Sequence, residues 1–157
     1  MDARIVRTRR RLQEALFSLA RERGIDHVSV SDIAERAEVN RSTFYQHYSD
    51  KETLLADAMD AVAADAGAQL DGIDAASEEP PGVLVDFMAH LDEHARLYRR
   101  VFLEPGYGAV VSRLRERIRD AVLDSGGSQT PRPDVPLAVL AAGVAGSIIG
   151  VIGAWLE

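Results

Sequence analysis

Val39-Asn-Arg-Ser-Thr-Phe-Tyr-Gln-His-Tyr-Ser-Asp-Lys51 decides how this chain is read. Asn40 is a good helix N-cap, because its side-chain oxygen can accept from the free N–H groups of the first turn. A helix starting at Arg41 places Phe44 and Tyr48 four residues apart on one inward face. The same helix leaves Arg41, Ser42, Thr43, Tyr45, Gln46 and His47 on its outer faces. Guanidinium, hydroxyl, amide and aromatic groups can read base edges in a major groove and bond phosphate oxygens. A helix N-terminus aimed at the backbone adds favourable partial charge. The bland alternative is a polar surface helix with its tyrosines used for packing.

Working outward, Ser29-Val-Ser-Asp32 pairs a cap hydroxyl with a carboxylate three residues on and predicts a helix through Ala37. Ser49-Asp-Lys-Glu52 repeats the pattern and predicts a longer helix through Leu54, Leu55, Met59 and Val62. Upstream, Leu12, Ala15, Leu16, Leu19 and Ala20 recur at helical steps, and Gly24 suits the left-handed position that ends a helix. Two short helices cannot persist in isolation, because nucleation is costly. Ile33, Ala34, Ala37, Val39, Phe44 and Tyr48 therefore form a seam for the helix bearing Leu12, Leu16 and Leu19. This order is a helix-turn-helix set in a small bundle.

The run from Ser29 to Leu55 resembles the DNA-binding domain of the TetR/AcrR family of bacterial transcriptional regulators, with a match from about Thr8 to Leu55. One departure is Glu38, where the family often has a glycine in a left-handed turn, so modest backbone strain is expected there. The resemblance implies that Arg41, Ser42, Thr43, Tyr45, Gln46 and His47 sit in the major groove or against its phosphates. Arg41 and Gln46 fall where the family varies with operator sequence, which suits them to base readout. It also implies that Lys51 holds a phosphate, that Ser29 and Ser31 touch the backbone, and that Arg4 and Arg7 approach the adjacent groove.

Beyond the head the pattern stays helical, and the fold class is all-α. Residues 1–50 are expected to form the DNA-binding domain and residues 51–157 a helical effector-binding and dimerisation domain. Leu70 to Gly82 and Ser125 to Pro136 read as loops, and breaks are expected near Ala95 and at Pro105-Gly106. Asp92 to Phe102 and the closing apolar run resemble one subset of the family's C-terminal domains. That resemblance implies a homodimer and a small-molecule effector, with Phe87, Met88, Leu91, Tyr98, Phe102 and Tyr107 as candidate pocket residues, although such residues more often fill a core. It also implies one more helix after Glu157. Val135 to Leu156 is free of charge over 22 residues and contains the G-x-x-x-G of Gly146 to Gly150. Such a run could cross a bilayer. Small residues also let helices approach closely in a soluble dimer, so Ala142, Gly146, Ile149, Gly150 and Gly153 are the candidate interface.

The formal net charge is −7, which by itself argues against a nucleic-acid partner. Its distribution says otherwise: residues 1–55 hold 10 Lys+Arg against 9 Asp+Glu, whereas the other 102 hold 8 against 16. Charge alone leaves DNA binding and a solvated helix start evenly matched. The chain has no cysteine, which excludes thiolate chemistry and fits a reducing cytoplasm. No signal-peptide pattern opens it. His90-Leu-Asp-Glu-His94 matches a zinc-peptidase signature and keeps open a small metallopeptidase as the alternative from another class, with a membrane-tethered DNA binder as the other. No cofactor motif is apparent, and the chain is read as a non-enzyme whose partners are palindromic double-stranded DNA, an effector and a second copy of itself.

Overall fold

The computed structural model describes residues 3–68, 82–124 and 135–157. Within them lie eight α-helices: α1 (Ala3–Arg23), α2 (Val30–Arg36), α3 (Arg41–His47), α4 (Lys51–Ala68), α5 (Gly82–Glu93), α6 (Ala95–Phe102), α7 (Gly108–Asp124) and α8 (Leu137–Leu156). A short 3-10 turn, Ile25–His27, joins α1 to α2. The loop expected at Leu70 to Gly82 and the linker from Ser125 fall almost wholly outside the described residues.

The caps explain the short helices. The Ser29 hydroxyl accepts from Asp32 N–H at 3.1 Å, and the Asp32 carboxylate accepts from Ser29 N–H at 2.8 Å. Both free donors at the start of α2 are thus satisfied. The cap of α4 is a correction to the sequence reading: Asp50, not Ser49, accepts from Thr53 N–H at 2.7 Å. A carboxylate one residue later is the better acceptor for a helix N-terminus.

α1 buries Leu12, Ala15, Leu16, Leu19 and Ala20 and packs on α2, the 3-10 turn, α4 and α6. Arg36 of α2 clamps Glu22 of α1 through two bonds of 2.7 and 2.8 Å, and adds one to the Ser18 hydroxyl. The Arg36 hydrogen bond holds the Glu22 carboxyl down to about 2. α7 and α8 pack together, and α6 joins both. One apolar core runs through head and body, from Leu12, Phe44 and Leu54 to Leu97, Val110, Ile152 and Leu156.

Glu38 adopts φ 52°, the left-handed conformation in which a glycine carries no side-chain penalty. Its carboxylate bonds Arg11 at 2.7 Å, but that pair is largely exposed and contributes little. Glu38→Gly is therefore expected to raise stability by about 0.5–1 kcal/mol. An unchanged or lower urea midpoint would show that the Arg11 bond outweighs the strain.

Candidate nucleic-acid interface

The exposed side of α3 is built on an anchored one. Phe44 is fully buried and Tyr48 nearly so. Their rings lie 5.9 Å apart, and Tyr45 stands edge-on to Phe44 at 5.4 Å. The Tyr48 hydroxyl donates to Asp57 of α4 at 2.5 Å, and the same carboxylate oxygen accepts from Gln13 of α1 at 3.0 Å. Burial and that carboxylate push the Tyr48 phenol well above its ordinary value, so it stays protonated as a donor. α3 is thereby tied to both α1 and α4. Sequence reasoning missed Asp57 and Gln13, because a polar tie between distant helices leaves no periodic mark.

Outward, Tyr45 is half exposed, and Arg41, Ser42 and Gln46 face solvent. The Arg41 guanidinium lies 5.9 Å from the Tyr45 ring centre and reaches its hydroxyl at 3.4 Å. This contact pre-orders a long side chain on the exposed face of α3. Asn40 caps the helix through Thr43 N–H at 2.7 Å, and its oxygen also accepts from the Ser42 and Thr43 hydroxyls at 2.6 and 2.8 Å. Both hydroxyl protons are therefore directed at the cap in this state. His47 is half-buried beside Tyr48.

Lys51, at the start of α4, donates to the carbonyls of Ile25 and Val28 at 2.8 and 3.0 Å. Two of its three donors fix the 3-10 turn, and one is left to point elsewhere. Ser29 and Ser31 are exposed at the start of α2, and Arg4 and Arg7 on the first turns of α1.

The candidate pocket residues are core. Leu91, Tyr98 and Tyr107 are buried, and Phe87, Met88 and Phe102 pack against them. A cavity of about 480 Å³ lies instead between α4 and α7, lined by Asp57, Asp60, Ala61, Ala64, Arg113, Arg117 and Asp120. It shares no residue with the six expected, because large apolar rings fill space whereas charged ends hold a cleft open.

The candidate dimer residues also divide. Ala142, Gly146 and Gly150 are exposed and Gly153 is partly so, but Ile149 turns inward. It joins Ala141, Ala145, Ile152 and Leu156 in the stripe that α8 buries. At about 100° per residue, the exposed large side chains Leu140, Val144, Ile148, Val151 and Trp155 form a separate stripe across the buried one from the glycines. Sequence reasoning followed the glycines and missed it, although its steps of four, four, three and four residues were readable.

His90 and His94 lie with ring centres 4.7 Å apart, beside Phe17 of α1. The His90 Nε2 pairs with the Tyr98 hydroxyl at 3.0 Å, and Glu93 pairs with Arg21. Among the described residues no third side chain completes a metal site. Burial lowers the affinity of both imidazoles for a proton, with His94 adding to the effect on His90 and Arg21 to that on His94. A folded pKa below the ordinary 6.5 means that the unfolded chain binds more protons as pH falls. Their contribution is then whole above about 6.5 and fades below it. Urea midpoints are expected to drop between pH 7.5 and 5.5, and less so in His94→Gln; equal drops would remove this histidine from the effect.

Comparison with known proteins agrees with this geometry. Residues 12–58 match the family of bacterial regulatory proteins known as the tetR family. Over 56 residues the chain is 43% identical to YxbF of Bacillus subtilis, an uncharacterised helix-turn-helix transcriptional regulator, covering 35% of this chain and 15% of that protein. It is 36% identical over 58 residues to YdeS of the same organism, covering 37% of this chain and 29% of that protein. The chain thus spans under a third of the length of these curated relatives. Among solved structures, RolR bound to resorcinol is 26% identical over 95% of this chain and 78% of its own, with TM-score 0.58. The Thermus thermophilus repressor FadR with lauroyl-CoA shares the fold at TM-score 0.56 and 24% identity, over 95% of this chain and 83% of its own. The family match covers the head alone, and among the described residues His90 and His94 lack the third ligand that a catalytic zinc needs. Over residues 12–58 the chain thus matches the tetR family of bacterial regulatory proteins, and its described helices share the fold of RolR.

Proposed function

We propose that this chain is a cytoplasmic, homodimeric repressor that holds a palindromic operator and is released by a small-molecule effector. Residues 1–50 form its DNA-binding head and residues 51–157 its effector and dimer domain. The observation that carries the reading is the two-sided α3: Phe44 and Tyr48 are anchored inside while Arg41, Tyr45 and Gln46 face out. Gln46 and Arg41 read bases, Tyr45, Ser42, Thr43 and His47 meet the groove wall and phosphates, and Lys51 adds its remaining donor to a phosphate. Ser29, Ser31, Arg4 and Arg7 add flanking contacts. Two such heads enter successive major grooves about one helical turn apart.

Self-association is supported by the exposed stripe of α8 and by its small residues Ala142, Gly146, Gly150 and Gly153. By length and composition α8 could also cross a membrane. Its inward stripe, however, packs on its neighbours, and Arg99 donates to the Leu156 carbonyl at 2.6 Å, which favours a protein interface. The effector reading rests on likeness to RolR, solved with resorcinol.

The test is to sequence DNA fragments selected by the purified protein and repeat binding with variants at matched salt. Gln46→Ala is expected to cost about 1–3 kcal/mol and relax preference at one base position. Tyr45→Ala is expected to weaken binding on every sequence while stability changes by less than about 0.5 kcal/mol, since the side chain is half exposed. Undiminished binding in both variants would overturn the assignment of α3.

A further inference from the structure

We propose that Asp26 is a positioning residue for DNA binding: it locks the turn beneath Lys51 to Arg100 and Tyr107 of the body, and so sets the operator spacing that two heads can span. The inference rests on the dimeric reading above and adds to it the part that fixes head to body.

Asp26 lies in the 3-10 turn between α1 and α2. Its carboxylate accepts from Arg100 Nε of α6 at 2.6 Å through one oxygen, and from the Tyr107 hydroxyl at 3.1 Å through the other. Arg100 is itself held: it donates to the Pro105 carbonyl at 2.8 Å, and its guanidinium sits 5.0 Å from the Tyr107 ring centre. Tyr107 is nearly buried, so this end of the contact is rigid. The Arg100 bond keeps the Asp26 carboxyl below the usual range, while burial and that carboxylate push the Tyr107 phenol up to about 12. Acceptor and donor thus keep their roles throughout the neutral range.

The residues flanking Asp26 carry the consequence. Ile25 and Val28 are buried in the core, and their carbonyls hold Lys51 Nζ. The next residue, Ser29, caps α2. The turn that the body grips is therefore the one that places the starts of both α2 and α4. At the same joint Gly24, with φ 83°, lies against the Arg96 guanidinium of α6. Arg21 and Glu93 form a further tie. Two heads fixed to one dimer body present a single spacing, and binding at both half-sites then gains from high effective concentration. Heads that swing lose part of that gain at the correct spacing and tolerate wrong spacings better.

The experiment uses the full chain and the operator it selects, together with versions carrying one base pair more or fewer between half-sites. Tyr107→Phe keeps the ring under Arg100 and removes only the hydroxyl, while Asp26→Asn keeps shape and removes charge; circular dichroism checks the fold of each. Wild type is expected to lose at least about tenfold in affinity when the spacing changes. In the double variant, affinity for the natural spacing is expected to fall about five- to tenfold, and the spacings to differ by less than about twofold. Wild-type spacing preference in the variants, or an equal loss at every spacing, would overturn the proposal. If wild type selects no two-part site, the dimeric operator reading fails first, and this proposal with it.

Discussion

Phe44→Ala is expected to lower stability by about 3–5 kcal/mol and to abolish operator binding. The ring is fully buried, and it is the buried side chain of a helix only seven residues long. Such a helix has no stability of its own, so its contacts with the core supply nearly all of it. Removing the ring leaves a cavity in the core that α3 covers, and Tyr45 and Tyr48 lose the surface against which they are set. Urea unfolding followed by circular dichroism measures the cost. A loss below about 1 kcal/mol would mean that α3 is held chiefly by its polar ties through Asn40 and Asp57. Paired with Tyr45→Ala, which should weaken binding at nearly constant stability, the two variants separate what builds the recognition surface from what uses it.

Val151→Asp is expected to convert a dimer to a monomer and to weaken operator binding by about 100-fold or more. Val151 is 63% exposed in the single chain, so the substitution leaves the packing of α7 on α8 intact. In a symmetric dimer that uses this stripe, two new carboxylates would be buried close together, a costly arrangement. Sedimentation gives the mass and a gel shift gives the affinity. A variant that stays dimeric would move the interface off the Leu140 to Trp155 stripe. Gly146→Asp is the matched control, because Gly146 lies on the other exposed side of α8; a dimer lost only in that variant would return the interface to the small residues.

The head was legible from sequence because its signals are local. Ser29 and Asn40 sit within three residues of the N–H groups they satisfy, and Phe44 and Tyr48 share a face by helical geometry alone. The strain at Glu38 was expected only through the family resemblance, which often has a glycine there, and Glu38 does adopt φ 52°. The error at Ser49 is instructive: two adjacent residues could each cap α4, and Asp50 takes the role. The body was less legible. Aromatic residues along α5, α6 and the start of α7 suit a pocket wall or a core equally well, and only packing decides that Leu91, Tyr98 and Tyr107 fill space. On α8 every face is apolar or small, so the spacing marks separate stripes but not that the one with Ile149, rather than Ile148 beside it, turns inward.

The amino-acid sequence by itself determined an all-α chain, the limits of α3 and the outward facing of Arg41, Ser42, Tyr45 and Gln46. Those follow from caps and a 3.6-residue period, which act within a few residues of chain. Only the tertiary structure decided what holds that helix to the rest: Tyr48 through Asp57 to α4, Lys51 beneath the 3-10 turn, and Asp26 to Arg100 and Tyr107. Such ties join residues up to 81 positions apart. Their partners are chosen by distance in space and by the need to satisfy half-buried polar groups, and no spacing along the chain encodes that choice.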